Sequence, residues 1–479
     1  MSTARRLAVV AVLALALGVP IALGGDSDAD ADGTVFAGRR AFTMPALDAP
    51  GALSSSWFCA AGSAAPDGNA NVTVVIANTT DEVRSGRLTW VPSEGEPVSL
   101  PIEVPPLSRI DARATNRVQA AHVAAVVEVD GGGVAVEHTV TGPAGADAAA
   151  CSPAASDRWY LANGATTKDA VLHLAVFNPF AGDAVLDIAF ATNEGLDEPE
   201  AVQAYVVPAG SLRVIDVTQT VRRRTAVATT VRARTGRVVV EAVQTFDGSE
   251  GRRGLGLTPA APAAGEDWWF SEGMVTEGIS ERFHVYNPGD RDAVVELSFV
   301  LPPGGDPVEP VEVTVPPRSA VVVGAADSGL PANTAHATNV RSLNGQPVVV
   351  ERELSAGPPA GRRGYASTLG ARAPAERWVL AAGEASDAVD EWVIVHNPGS
   401  SPARVSIVAL ASGQRLPIEG LAEVELEAAG RLAVRMGDRL QRPQLALLVE
   451  ADVPVVVERS LFAPRGVGLS AAIGLPVRP

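Results

Sequence analysis

The sequence predicts an all-β protein built from four tandem immunoglobulin-like or fibronectin-like β-sandwiches. A Trp-led strand, an Asn turn, a Val-Pro turn and a Val-rich strand ending in Glu recur four times along 479 residues. A repeat of roughly a hundred residues is the size of one sandwich and about twice a propeller blade. Between these landmarks the apolar runs are short, and no long stripe with a period of about 3.6 residues appears, so helices should be few and short. Composition agrees: 46 Gly and 36 Pro accompany a 47% hydrophobic content. That mixture suits many short strands joined by turns and excludes wholesale disorder.

The elements follow in order. Arg5-Arg6 precedes an apolar run from Leu7 to Leu23, after which the chain turns acidic at Asp26. A basic start, an apolar stretch and the small residues Ala22, Gly24 and Gly25 make residues 1–25 a cleavable signal peptide or an N-terminal membrane anchor. Either places the rest outside the cytoplasm, secreted or held to the cell membrane. Residues 26–50 read as an acidic, flexible linker. Within it Asp28, Asp30, Asp32 and Gly33 imitate the start of a calcium loop, but Arg39 stands where the closing Glu is needed. No metal or other cofactor is expected.

The four sandwiches are assigned to residues 51–152, 153–263, 264–372 and 373–479. They open at Trp57-Phe58, Trp159-Tyr160, Trp269-Phe270 and Trp378-Val379, where aromatics fit core or inter-unit packing better than sugar stacking. Trp90, Trp268 and Trp392 fall outside that register and are the better candidates for exposed rings. The Asn turn is Asn78-Thr79 in the first unit, then Asn178-Pro179, Asn287-Pro288 and Asn397-Pro398. Pro lacks an N–H and forces its predecessor to be extended, so this pair ends a strand. Val104-Pro105-Pro106, Val207-Pro208-Ala209 and Val315-Pro316-Pro317 mark a mid-unit turn, degenerate as Glu427-Ala428-Ala429 in the last copy. Short Pro- and Ala-rich linkers between units predict a semi-rigid rod.

Glu137, Glu241, Glu351 and Glu458 close the Val-rich strands. A glycosidase needs two carboxyls facing one bond, and each unit repeats only one, so these read as structural acceptors for turn amides or an Arg. The six histidines, His122, His138, His173, His284, His336 and His396, fall in different units or at different module positions. No H-E-x-x-H, G-x-S-x-G or C-x-x-C motif is present. No catalytic residues are assigned, and the protein is expected not to be an enzyme.

Cys59 and Cys151 bracket the first unit. In an oxidising compartment they read as one disulfide closing a loop of about ninety residues. Arg252-Arg253, Arg362-Arg363 and Arg465 recur on the hairpin after the Glu strand. They are candidate sites for anionic glycan or wall phosphate, set against the plainer reading of soluble hairpin tips. The net charge of −17 opposes nucleic acid and anionic membrane surfaces.

The Trp-aromatic, Asn-Pro and V-V-V-E segments resemble an uncharacterised family of exported actinobacterial proteins, over nearly all of residues 51–479. The first unit resembles it further in its W-F-C opening and later Cys. The resemblance implies a cell-envelope location and this architecture, with envelope polysaccharide as a loose association. The expected role is a non-enzymatic envelope scaffold, spacer or adhesion module, with envelope proteins or cell-wall polysaccharide as partners. The alternative is a carbohydrate-binding protein beside wall-polymer assembly.

Overall fold

The computed structural model describes residues 44–302 and 306–478. The signal or anchor segment and the Asp28–Gly33 stretch lie outside the described residues. Among the described residues the helical structure is one four-residue α-helix, Val217–Thr220, and short 3-10 turns, and no helix is long and apolar enough to cross a membrane.

The first sandwich shows the module. Its strands are β1 (Ser54–Cys59), β2 (Asn71–Asn78), β3 (Arg84–Pro92), β4 (Val98–Val104), β5 (Ser108–Arg113), β6 (Val123–Asp130), β7 (Val134–Gly142) and β8 (Gly145–Ala150). One antiparallel sheet runs β1-β6-β3-β4 and the other β5-β2-β7-β8. The second and third units repeat this order, as Asp267–Phe270, Ala337–Ser342, Ala293–Val300 and Val311–Val315 show for one sheet of the third. In the fourth, a single strand, Arg442–Phe462, passes from one sheet to the other and joins them.

Each landmark has a packing reason. The leading Trp is buried in its own sandwich, and in the second, third and fourth units its indole N–H donates to a carbonyl at the start of the Val-rich strand. The acceptors are Val238 for Trp159 (2.7 Å), Val348 for Trp268 (3.0 Å) and Val455 for Trp378 (2.9 Å). The third unit therefore opens at Trp268, one residue before the expected Trp269. Two adjacent tryptophans made either register readable, and the pairing of Trp268 with Val340 matches that of Trp57 with Val127. The next residue along packs outward into the neighbouring sandwich: Tyr160 joins the core of the third and Trp269 that of the fourth. Trp90 and Trp268, expected as exposed rings, are both buried.

The Asn turn and the Val-Pro turn recur together because one side chain ties them. Asn178 Nδ2 donates to the carbonyls of Gly182, Val207 and Pro208, and its Oδ1 accepts from the Phe180 amide. Asn78, Asn287 and Asn397 make the same set. A buried amide bonded at both ends welds the two loops, beside one backbone bond between them in each unit, such as the Gly210 amide to the Phe180 carbonyl.

The expected rod does not form. The last strands of the four units, β8, Arg253–Pro259, Gly364–Leu369 and Leu469–Ile473, contact one another in a closed cycle, so the fourth sandwich meets the first. Small residues permit this approach: a Cβ on Gly254 would lie 2.3 Å from the Tyr365 amide nitrogen. Residues 44–50, expected within the flexible linker, instead help to close the ring. Met44, Ala46 and Leu47 are buried. The Leu47 amide donates to Pro476, and the Arg478 amide donates back to the Leu47 carbonyl.

Candidate functional site

The closing Glu of each Val-rich strand builds the junctions. It reaches out of its own sandwich and accepts backbone N–H groups from the opening segment of the preceding one. Glu241 takes Ala61 (2.7 Å), Glu351 takes Ala162 (2.7 Å), Glu458 takes Ser271 and Glu272 (2.9 Å each), and Glu137 takes Ala381 and Ala382 (3.0 Å each). The last pair closes the cycle. Charge-assisted bonds of this kind are roughly twice as strong as neutral ones.

The residue after each Glu decides how the next junction's carboxylate is balanced. His138 lies 3.2 Å from Glu241, Arg352 is paired with Glu458, and Arg459 is 2.8 Å from Glu137. In the second unit this position is Ala242, so Glu351 has no such cation and accepts instead from Ser367 Oγ at 2.9 Å. Burial pushes Glu351 up to about 7, against the hydrogen bonds that favour its charge. Burial likewise pushes Glu391, beside Arg459, up to about 7.

Four equivalent junctions are filled unequally. Between the second and third sandwiches, Arg252 stacks on Phe246 (4.0 Å to the ring centre) and faces Glu353 at 3.8 Å. Between the third and fourth, Arg362 stacks on Phe462 (4.2 Å) and near Trp392 (5.9 Å), and pairs with Glu272 at 3.4 Å. The cavity beside Arg362 is about 10 Å³. These two candidate anion ligands are thus already paired with carboxylates at junctions, whereas Arg253, Arg363 and Arg465 stand exposed at the hairpin tips.

Both junctions of the first sandwich stay open. Toward the fourth there is a cleft of about 780 Å³, lined by Thr73, Thr139, Thr141, Arg113, Glu384 and Gln444 among others. Thr141 lies four residues past Glu137, as Phe462 does past Glu458, so the ring that supports Arg362 at the third–fourth junction has no equivalent here. Asp147, buried in the same wall, accepts from the Ala148 and Leu257 amides, and burial pushes it up to about 7. Toward the second sandwich lies a cleft of about 890 Å³ into which His122 and His173 both face.

The disulfide joins Cys59 and Cys151, tying β1 to the exit of the first sandwich. His138 Nδ1 sits 3.2 Å from Cys151 Sγ. With both sulfurs joined, this Cys-His group offers a metal only its imidazole. The histidines, which the sequence spreads over separate units, are partly brought together: His122 and His173 meet with ring centres 5.6 Å apart. Their adjacency depends on how the first sandwich packs against the second, for which no local motif exists.

A family of unknown function, DUF5719, has a model that matches residues 111–250 and 239–466. No curated protein matches the chain. Among solved structures, Thermotoga maritima 1070 aligns at 21% identity over 22% of this chain and 93% of its own, with a TM-score of 0.20. The Anabaena sensory rhodopsin transducer aligns at 26% identity over 19% of this chain and 88% of its own, with a TM-score of 0.17.

Proposed function

The chain belongs to DUF5719, a family of unknown function, and we propose that it is a non-enzymatic, exported envelope protein that acts as a ring-shaped interaction scaffold. The observation that carries this reading is the unequal filling of equivalent junctions. Two are closed by arginine plugs and two, flanking the disulfide-clipped first sandwich, are open. Hooks through all four glutamates keep the ring fixed, so an open cleft is presented without a cost of ordering on binding. A closed ring adds little reach, so scaffold or adhesion module fits better than spacer. Export is supported by the Arg5-Arg6 start with its apolar run and by the disulfide.

A second reading is favoured by the lining of the cleft between the fourth and first sandwiches. Thr73, Thr139, Thr141, Gln444, Arg113 and Glu384 supply hydroxyl, amide and charged groups, the mixture that hydrogen-bonds a hydroxyl-rich glycan, with Arg253, Arg363 and Arg465 as further anion contacts.

The test of both is binding of the exported chain to purified envelope proteins and polysaccharides, alongside a Thr141→Phe variant that restores the missing aromatic. Saturable binding lost in that variant supports the scaffold, and polysaccharide as the ligand selects the second reading. Binding that Thr141→Phe leaves unchanged removes this cleft. Turnover of a wall polymer abolished by one point mutation overturns the non-enzymatic assignment.

A further inference from the structure

Four of the six imidazoles are absorbed by the fold. His138 Nε2 meets Glu241 at 3.2 Å, His284 meets Glu353 at 3.3 Å, His336 meets Glu281 at 3.3 Å, and His396 Nδ1 contacts the Gly430 carbonyl at 3.0 Å. His122 and His173 differ. Among the described residues neither ring has a hydrogen bond or ion pair. They come from different sandwiches and face each other edge to plane, with centres 5.6 Å apart, on the wall of the open cleft of about 890 Å³.

The module does not require histidine at these places. His173 lies five residues before Asn178, and the equivalent residues are Thr73, Arg282 and Trp392. His122 stands one residue before Val123, whose amide donates to Gly62, and the equivalent third-unit residue is Ala335, one before His336, whose amide donates to Gly273. Burial holds both His122 and His173 below the usual imidazole range, with each other's charge adding to the effect on His122 and Asp216 opposing it on His173.

We infer that His122 and His173 together bind one divalent transition-metal ion of the zinc, nickel or copper class, bridging the first and second sandwiches. Imidazole suits these ions, and two rings leave coordination positions free for water or an incoming ligand. Asp67 and Glu94 line the same cleft and add negative charge around it. The placement gives the metal an open side, as a site that receives a further ligand requires. An edge-to-plane pair without metal is the competing account, since aromatic rings favour that geometry on their own.

The experiment uses the full exported chain without a histidine tag, stripped of metal and titrated calorimetrically with zinc chloride and, separately, nickel chloride. The expected result is saturable binding of one ion per chain, weakened at least tenfold in His122→Asn and in His173→Asn. Copper loaded at one equivalent should show nitrogen hyperfine splitting from two imidazoles in its electron paramagnetic resonance spectrum. Because either variant could perturb the junction, metal-free melting is measured in parallel. A variant that melts like the parent yet loses the ion supports the site. No saturable binding, or binding that survives in the double variant, overturns it and leaves the ring contact as packing.

Discussion

Arg459 of the fourth sandwich lies 2.8 Å from Glu137 of the first, with both side chains fully buried. This pair joins the end of the array to its beginning, while Glu137 also holds the Ala381 and Ala382 amides. Removing one partner of a buried pair leaves an uncompensated charge and typically costs about 3 to 5 kcal/mol. Arg459→Met should therefore lower stability by that order in urea unfolding, and small-angle scattering should show an enlarged particle if the fourth sandwich releases the first. Arg459→Met combined with Glu137→Gln should recover part of the loss. Equal stability of Arg459→Met and the parent would sink the idea that this pair holds the ring closed.

Asn178 supports two turns at once, so truncating it strands several carbonyls. Val207 loses its buried donor and the Phe180 amide its acceptor. Unsatisfied buried groups cost about 1 to 3 kcal/mol each, and Asn178→Ala should destabilise by roughly 2 to 3 kcal/mol. Asn178→Asp keeps the acceptor but loses the donors, so it should not rescue. Thermal melting of both variants checks this.

The same turn contains a testable strain. Leu107, Gly210, Arg318 and Ala429 occupy equivalent positions, all at positive φ, with values of 44°, 60°, 50° and 52°. Only the second unit places glycine there, and other L residues incur a penalty of roughly 1 kcal/mol in this region. Ala429 is exposed and loses little packing on substitution. Ala429→Gly should raise stability by up to about 0.5 kcal/mol once the freer unfolded chain is counted, whereas Ala429→Val should lower it.

What the sequence disclosed divides by range. The sandwich class was readable because alternation and turn chemistry are local: Asn178-Pro179 ends a strand wherever it stands. The leading Trp was legible except at Trp268-Trp269, where a doubled aromatic admits two registers and only the bond to Val348 decides. Ring closure was illegible, since Pro-rich linkers suit a rod and nothing near Glu137 points to Ala381. The repeated Glu was legible as an acceptor, but its partners in the preceding sandwich follow from the closed arrangement. Likewise the doublets Arg252-Arg253 and Arg362-Arg363 look alike in sequence. Within each pair, the first side chain plugs a junction and the second stays exposed, a division that strand direction imposes.

Cys59 and Cys151 are 92 residues apart in sequence, and loop closure of that length restricts the unfolded chain by roughly 4 to 5 kcal/mol in the chain-entropy description. Joint replacement by Ser should lower the stability of the first sandwich by that order. Because β1 is tied to both the linker and the Glu241 hook, the loss should appear first as protease sensitivity around residues 60–70. Melting with and without reductant checks it. A parent protein whose melting ignores reductant under denaturing exposure of the bond would count against the assignment.

Glu351 gives a pH dependence with a definite sign. Its junction lacks the cation that Arg352 and Arg459 provide elsewhere, and burial raises it from the ordinary 4.5 to about 7. Below about 4.5 the carboxyl is protonated in both folded and unfolded chains and contributes no slope. Between about 4.5 and 7 the folded chain binds the extra proton, so this residue's contribution to stability falls as pH rises, and above 7 the loss is complete. A shift of this size corresponds to roughly 3 to 3.5 kcal/mol at most. Glu351→Gln keeps an acceptor for the Ala162 amide and a donor for Ser367 Oγ but cannot ionise. Variant and parent should therefore be equally stable near pH 4, with the variant gaining steadily to pH 8 by urea unfolding. Asp147 and Glu391 tilt the parent in the same sense but are present in both proteins, so the difference isolates Glu351. A parent that gains on the variant as pH rises would mean that Glu351 is held ionised, and that the missing cation at Ala242 is supplied from elsewhere.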